Sequence, residues 1–436
     1  MQRWARTALS GAAVLGLAAG LLVVGSAAGT PPSESPLGSA ASAPAKTLTG
    51  SISKLQADLE RVPGNFRAWS DLGYAYVTKA RLTADPTFYG KAEGAFSRAL
   101  ELRPEDNDTA LTGMASLAAA RHDFAGALEL TDRSLAINDF SPTTYAVRTD
   151  ALVELGRYED SRVALQRLLD LRPGGVDALT RASYALELLG NVDQARDLLQ
   201  QVVDASVTGG ADVAFAQYYL GELAWNTGDV DGALQAYEAG LVADRAYLPL
   251  VAGRAKVLAA RGNVATATTE YRRVVEQLPQ PEFLVAFGEL LEADGQTDAA
   301  QEQYAVVLAT QKLYAANGQD VDTELALFEA DHGDPAAAVE SAQKAYAKRP
   351  DAVFTQDAYA WALHAAGRDA EALPIARQSI RLGLKSPTLY YRLGVIEAAA
   401  GDPAAAKQSL EQALALNPSF SPLHAPRAKA LLESLA

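Results

Sequence analysis

From Ser51 onward, apolar residues recur at three- and four-residue spacing in runs of about 12 to 15 residues, and most Gly and Pro residues fall at the ends of these runs. No stretch alternates apolar and polar residues in the manner of a half-buried strand. The pattern therefore predicts an all-α chain. Two earlier stretches break it. Residues 8–28, ALSGAAVLGLAAGLLVVGSAA, form an uncharged apolar run, and residues 29–47, GTPPSESPLGSAASAPAKT, are rich in Pro, Ser, Ala and Gly. The second stretch has too little apolar surface to order itself and reads as a flexible spacer, so the folded part is expected to begin near Ser51.

The helical runs repeat. Residues 390–418, YYRLGVIEAAAGDPAAAKQSLEQALALNP, align with residues 217–245, QYYLGELAWNTGDVDGALQAYEAGLVADR, so that Leu393 and Gly394 fall on Leu220 and Gly221, Gly401 on Gly228, Ala406 on Ala233 and Leu410 on Tyr237. The same frame returns about every 34 residues, the spacing of stacked helical hairpins. Its positions have physical roles. A small residue such as Gly73 or Ala92 lets two antiparallel helices approach, and a large one such as Trp69, Tyr76 or Phe96 fills the space between hairpins. A turn Gly ends the first helix in a left-handed conformation, the Asp after it (Asp229, Asp334, Asp402) caps the second, and Pro104, Pro173, Pro279, Pro350 and Pro418 close the unit. One hairpin cannot cover its own apolar face, so stability has to come from stacking neighbours.

This order of large, small, turn Gly, small Ala, aromatic or Leu, small and Pro resembles the tetratricopeptide repeat. The resemblance implies an all-α, right-handed superhelical solenoid of helix-turn-helix repeats and covers nearly all of residues 51–436. Ten units phase to residues 66–106, 108–141, 142–175, 176–209, 214–247, 248–280, 281–314, 319–352, 353–386 and 387–420. The first carries extra residues in its turn around RLTADPTFYG, and the second is degenerate. A half-repeat over residues 51–65 precedes them, after a linker at 29–50 and an N-terminal segment at 1–28; a capping helix over residues 424–436 follows.

Composition narrows the partners. The 436 residues hold 53 acidic and 38 basic side chains, a net charge of −15, which argues against nucleic acid because phosphate neutralisation needs surplus Lys and Arg. Arg3 and Arg6 ahead of the apolar run, with small residues at Ser26 and Ala28, give a signal peptide or, if uncleaved, a membrane anchor. Either predicts that the remainder is extracytoplasmic, secreted or tethered to the membrane by that segment alone. The chain has no cysteine, so a lipid-anchored lipoprotein, a disulfide scaffold and a thiolate metal site are all removed.

No catalytic constellation emerges. The four histidines, His122, His332, His364 and His424, lie far apart in sequence, and only His332 has a carboxylate, Glu329, one turn before it. Residues 227–238 carry Asp229, Asp231, Gly232 and Glu238 at calcium-loop spacing. Thr227 stands where the first Asp belongs, though, and Glu238 falls inside a helix of the frame, so a capped turn is the expected role. No nucleophile elbow, phosphate loop or dinucleotide fingerprint is present. The expectation is a non-enzyme without cofactor or metal.

The resemblance implies binding of a peptide or partner protein in the concave groove lined by each first helix. In that frame Tyr184, Glu187, Phe215, Tyr218, Glu222, Trp225 and Asn226 project toward the groove in repeats four and five, and Phe354, Asp357, Trp361, His364 and Tyr391 in repeats nine and ten. Such aromatics with polar tips suit interface anchors, and equally suit packing between repeats. The same frame makes the groove acidic: Asp71, Asp150, Glu154, Asp177, Glu187, Glu222, Glu282, Glu289, Glu292, Asp320, Glu324, Asp331 and Asp357 accompany only Arg67, Arg181, Lys256 and Arg392. That composition favours a basic partner. The functional expectation is a protein-protein interaction scaffold of a bacterial cell envelope supporting complex assembly. The alternative is a regulatory or accessory subunit of a neighbouring enzyme or transport system.

Overall fold

The computed structural model describes residues 45–205 and 210–435, in which there are 22 α-helices and no strand. After α1 (Ala45–Arg61), the first helices of the hairpins are α2 (Phe66–Thr83), α4 (Asp108–Ala120), α6 (Pro142–Glu154), α8 (Val176–Leu188), α10 (Ala211–Asn226), α12 (Leu248–Ala260), α14 (Pro281–Ala293), α16 (Asp322–His332), α18 (Val353–Ala365) and α20 (Pro387–Ala399). Their antiparallel partners are α3 (Thr87–Leu102), α5 (Phe124–Ile137), α7 (Tyr158–Leu171), α9 (Val192–Ala205), α11 (Val230–Ala243), α13 (Val264–Gln277), α15 (Thr297–Ala316), α17 (Pro335–Lys348), α19 (Asp369–Ser379) and α21 (Pro403–Leu416); α22 (His424–Ser434) closes the array. The chain is an all-α solenoid of stacked hairpins. No described helix is long and apolar enough to cross a membrane, and the segment at residues 1–28, read as signal or anchor, lies outside the described residues.

The small-meets-large rule is visible in four hairpins. A Cβ added at Gly73 would sit 2.5 Å from the Phe96 ring, one at Gly221 2.2 Å from Tyr237, one at Gly288 2.3 Å from Tyr304 and one at Gly394 2.8 Å from Leu410. Each ring or branched chain of a second helix thus occupies the space that the first helix leaves by lacking a side chain. Asp229, Asp334 and Asp402 cap α11, α17 and α21 by accepting from the backbone N–H of Gly232, Ala336 and Ala405. The capped-turn reading of residues 227–238 is therefore the observed one, and Asp231 is turned away to pair with Arg261.

Two local expectations differ from the fold. Helix α1 begins at Ala45, six residues before Ser51, because Leu48 is completely buried together with Ile52 against α2. The extra residues of the first hairpin do not enlarge its turn. They lengthen α2 to 18 residues, against 13 in α4, α6 and α8.

The array closes on itself. Tyr158 at the start of α7 donates its hydroxyl to Asp351 O (3.0 Å) and accepts from the Val353 N–H (3.0 Å) at the start of α18. Arg349 pairs with Glu154 at 3.3 Å. Asn417, just after α21, donates to Trp225 O in α10 (2.7 Å). Between α4 and α5, Arg121 O accepts from Asp320 N (2.8 Å), in the loop between α15 and α16. Each contact joins points eleven helices apart, for example α7 with α18 and α10 with α21. About five and a half hairpins therefore complete one superhelical turn, and the second turn rests on the edge of the first.

Candidate functional site

Consecutive first helices pack directly on one another, α2 on α4, α4 on α6, α10 on α12, α16 on α18 and α18 on α20, so they line the inside of the coil. None of the expected groove residues is exposed. Trp225, Asp357, Trp361 and Tyr391 are buried; Tyr184, Glu187, Phe215, Tyr218, Glu222, Asn226, Phe354 and His364 are half-buried. The open groove expected for these side chains is replaced by contacts within and between repeats.

The first cluster is divided. Tyr184, Glu187 and Phe215 share a cavity of about 110 Å3 with Tyr89, Phe124 and Tyr219. Arg81, Arg181 and Asp150 also line it, and Arg181 grips Asp150 through two bonds, 2.8 and 2.6 Å, linking α8 to α6. Trp225 instead borders a separate space between α12, α14 and the residues before α22, with Lys256 over its ring at 5.1 Å. Glu222 accepts from Lys256 Nζ (2.8 Å) and from the Tyr237 hydroxyl (2.6 Å). Tyr218 rests among the rings of Tyr219, Tyr237 and Tyr247.

The second cluster is held in a polar network through four first-type helices. Asp331 of α16 accepts from Trp361 Nε1 of α18 (3.0 Å) and lies 3.6 Å from Arg392 of α20 and 3.5 Å from His424 of α22. Arg392 donates to Asp357 (2.5 Å) and lies over the Trp361 ring at 5.5 Å. Tyr391 stacks on His424 and meets Phe420. His364 pairs with Asp369 at 2.6 Å, and Phe354 packs with Tyr158 and Leu188. Burial opposes ionisation of Asp331, but the contact with His424 and the charge of Arg392 outweigh it and hold the carboxyl at about 2.

His332 has no partner in Glu329, which instead accepts from Asp334 N. Its ring lies between Glu289 and Glu292, at 3.5 and 3.8 Å, and stacks on Tyr304. Among the described residues no three His, Asp or Glu are grouped to hold a metal ion by themselves.

Sequence reasoning placed the acids on the inner face but missed Tyr89, His122, Phe124 and Tyr219. Tyr219 follows Tyr218 directly, and it is the Tyr219 ring that lines the cavity. His122 sits at a turn at φ +61°, outside any periodic pattern.

Several inner-face carboxyls lack full compensation. Burial pushes Glu154 and Glu187 up to about 7; Arg349 opposes this at Glu154, whereas Glu222 adds to it at Glu187. Burial does the same at Glu282. A carboxyl raised in the folded state contributes stability that is complete below its unfolded value near 4.5 and lost as pH rises through about 7. Asp331 acts oppositely, losing its contribution as pH falls below about 4. Stability, and the thermal midpoint with it, is therefore expected to peak near pH 4 to 5 and to fall toward pH 7.5, by up to about 3 kcal/mol per glutamate at about 1.4 kcal/mol for each unit of the shift from 4.5 to about 7. Scanning calorimetry across pH checks this, and the triple Glu→Gln variant at 154, 187 and 282 should flatten the decline. An undiminished slope in that variant contradicts the assignment.

Residues 148–209, 189–247 and 387–420 match tetratricopeptide repeat family profiles. These segments are tetratricopeptide repeats. The chain's hairpins, turn glycines and small-large pairs are similar in kind inside and outside them. Among solved structures, this chain is similar to one described as the APC/C hetero-tetramer Cut9–Hcn1, at 14% identity and TM-score 0.41, covering 89% of this chain and 93% of that one. It is also similar to a tetratricopeptide repeat protein from Parabacteroides merdae, at 17% identity and TM-score 0.33, covering 60% of this chain and 98% of that one. A comparison with curated proteins returned no match. Tetratricopeptide repeats support a role as a protein-protein interaction scaffold.

Proposed function

We propose that this protein is an extracytoplasmic scaffold of a bacterial envelope that holds a protein partner through a basic side chain seated on the inner face of its first turn. The observation that carries the reading is the cavity between Tyr184, Phe215 and Tyr219, with Glu187 on its wall. Aromatic faces and a carboxylate are what a Lys or Arg side chain needs when it leaves water. Glu187 is hydrogen-bonded to Asn226 and has Glu222 as its charged neighbour, and an incoming positive charge would relieve the repulsion between the two carboxylates. The cavity, about 110 Å3, suits one anchoring side chain rather than a length of peptide. That size also favours the second reading, a regulatory subunit whose array takes up a small ligand.

The envelope assignment draws on the N-terminal apolar run and its preceding arginines. The test is capture of partner from an envelope fraction by the full chain, set against Tyr184→Ala and Glu187→Gln. Both are half-buried and outside the Asp331 network, so both should fold. A loss of about tenfold or more in capture by each variant is expected, the scale of an interface anchor. Equal capture by both would remove the cavity from the binding surface.

A further inference from the structure

We propose that the two superhelical turns part at one end of their contact when buried carboxyls there lose their protons, an opening driven by pH. The place is where the corner joining α2 to α3 and the corner joining α4 to α5 meet α14, α15 and α16. A cavity of about 40 Å3 lies between the walls at this end. Arg81, Tyr89 and His122 face it from the first turn, and Glu282, Tyr314 and Glu324 from the second.

The first-turn corners that touch the second turn are not alike. Gly156, Gly190 and Gly228 lie against backbone, and an added Cβ would sit 2.3 Å from Asp351 C, 2.4 Å from Gly383 O and 2.4 Å from Leu416 O. Their φ values of +74°, +72° and +79° are ones that glycine adopts without strain. The two corners before them carry Ala84 and His122 instead, at φ +50° and +61°. These are two of the three non-glycine residues in the left-handed region among the described residues, and both border the cavity. A residue with a Cβ is strained there, so strain collects at this end of the contact.

The polar atoms around the cavity are short of donors. Glu282 Oε1, Glu324 Oε2 and His122 Nε2 are buried and no protein donor reaches them, nor the amide oxygens of Gln280 and Gln311 on the same wall. His122 Nδ1 lies 2.7 Å from Asp320 O, which can only accept, so Nδ1 carries the proton and Nε2 a lone pair. A proton on either carboxyl or on His122 turns an unmet acceptor into a donor, and the glutamine oxygens are there to receive it. Once both carboxyls ionise, two anions share the space with one guanidinium. That guanidinium, Arg81, is disfavoured by burial and by Arg181, against Tyr89 and Asp150.

Burial pushes Glu282 up to about 7, and the charge of Glu324 adds to this, against a bond from its own backbone. Tyr89, Tyr314 and Tyr218 of α10 also surround it; all three are raised, by burial first, and stay neutral. Around Glu324, His122 lies at 3.9 Å and Glu154 is a further acid, while Arg121 beside His122 pairs with Glu93. The closed contact thus holds protons that the open one releases. Closure is complete below about 4.5 and weakens as pH rises through about 7. Arg81, Tyr89 and His122 also line the inner-face cavity, so parting the walls opens a way to it from outside the coil. The opening itself does not depend on what that cavity holds.

Hydrogen exchange of the full chain, read by mass spectrometry at about pH 5.5 and about pH 8 and corrected for intrinsic rates, tests this. Protection of residues 84–89, 119–124 and 317–324 is expected to fall about tenfold or more between the two, while residues 226–230 and 415–419, at the far Asn417 contact, change by less than about twofold. Glu282→Gln is near-isosteric and its amide can donate where the protonated carboxyl did, so this variant should keep the contact closed at both pH values. Glu282→Gln/Glu324→Gln should do the same, and the wild-type comparison stands without either. Unchanged wild-type protection at the first three segments overturns the proposal. So does an equal fall at the Asn417 contact, or a fall that persists undiminished in Glu282→Gln.

Discussion

Trp361→Ala is expected to be among the most destabilising single substitutions in the chain, lowering unfolding free energy by about 3–5 kcal/mol. The side chain is 6% exposed, and its loss would open a void at the centre of the second turn. It would also take away the indole N–H that Asp331 accepts and the ring face beneath Arg392. Both charges would stay buried with less to satisfy them, and leaving a buried ionic network incomplete costs more than losing the contact itself. Because Asp331 links α16, α18, α20 and α22, the damage should extend over the last three hairpins and the closing helix. A urea titration followed by far-UV circular dichroism checks this, and a midpoint within experimental scatter of the wild type would contradict it. A loss of partner capture by this variant would report unfolding rather than a lost contact, which is why the half-buried Tyr184 and Glu187 are better probes of the inner face.

The hairpins were legible in the sequence because every rule that makes one is local. Gly73 opposite Phe96, Gly221 opposite Tyr237 and the Asp229 cap are fixed by spacing within a single repeat. The inner-face acids were legible for the same reason, since a helical frame assigns each residue a direction. What the frame could not carry is distance to the next superhelical turn. That depends on a small rotation accumulated over five and a half hairpins, and it decides whether Trp225 and Trp361 look into an open groove or into protein. The contacts that set it involve a tyrosine hydroxyl on backbone (Tyr158), an asparagine after a helix (Asn417) and turn residues (Arg121, Asp320), none of which stands out in a periodic pattern. The 18-residue length of α2 has a similar origin. Its last turn holds Arg81, and Ala84 caps it; both border the space between turns, so packing against the second turn favours helix where the repeat frame expected loop.

Closure of the coil is therefore the claim on which the rest depends, and two glycines separate it from ordinary turn chemistry. Gly156 and Gly295 both end a first helix in the left-handed region, at φ +74° and +78°. In either, alanine meets the same backbone penalty, about 1–2 kcal/mol. Their surroundings differ. A Cβ at Gly295 has nothing within 4 Å, whereas one at Gly156 would lie 2.3 Å from the carbonyl carbon of Asp351 and 2.6 Å from the Ala352 nitrogen, backbone of the second turn. Backbone cannot rotate away as a side chain does, so Gly156→Ala must push the turns apart. That would strain the Tyr158 bonds to Asp351 and Val353 and the Arg349–Glu154 pair. The decisive measurement is the difference in unfolding free energy between Gly156→Ala and Gly295→Ala under identical conditions. A closed coil predicts that Gly156→Ala is worse by about 2 kcal/mol or more, the scale of an overpacked contact; equal costs would mean that the turns do not touch.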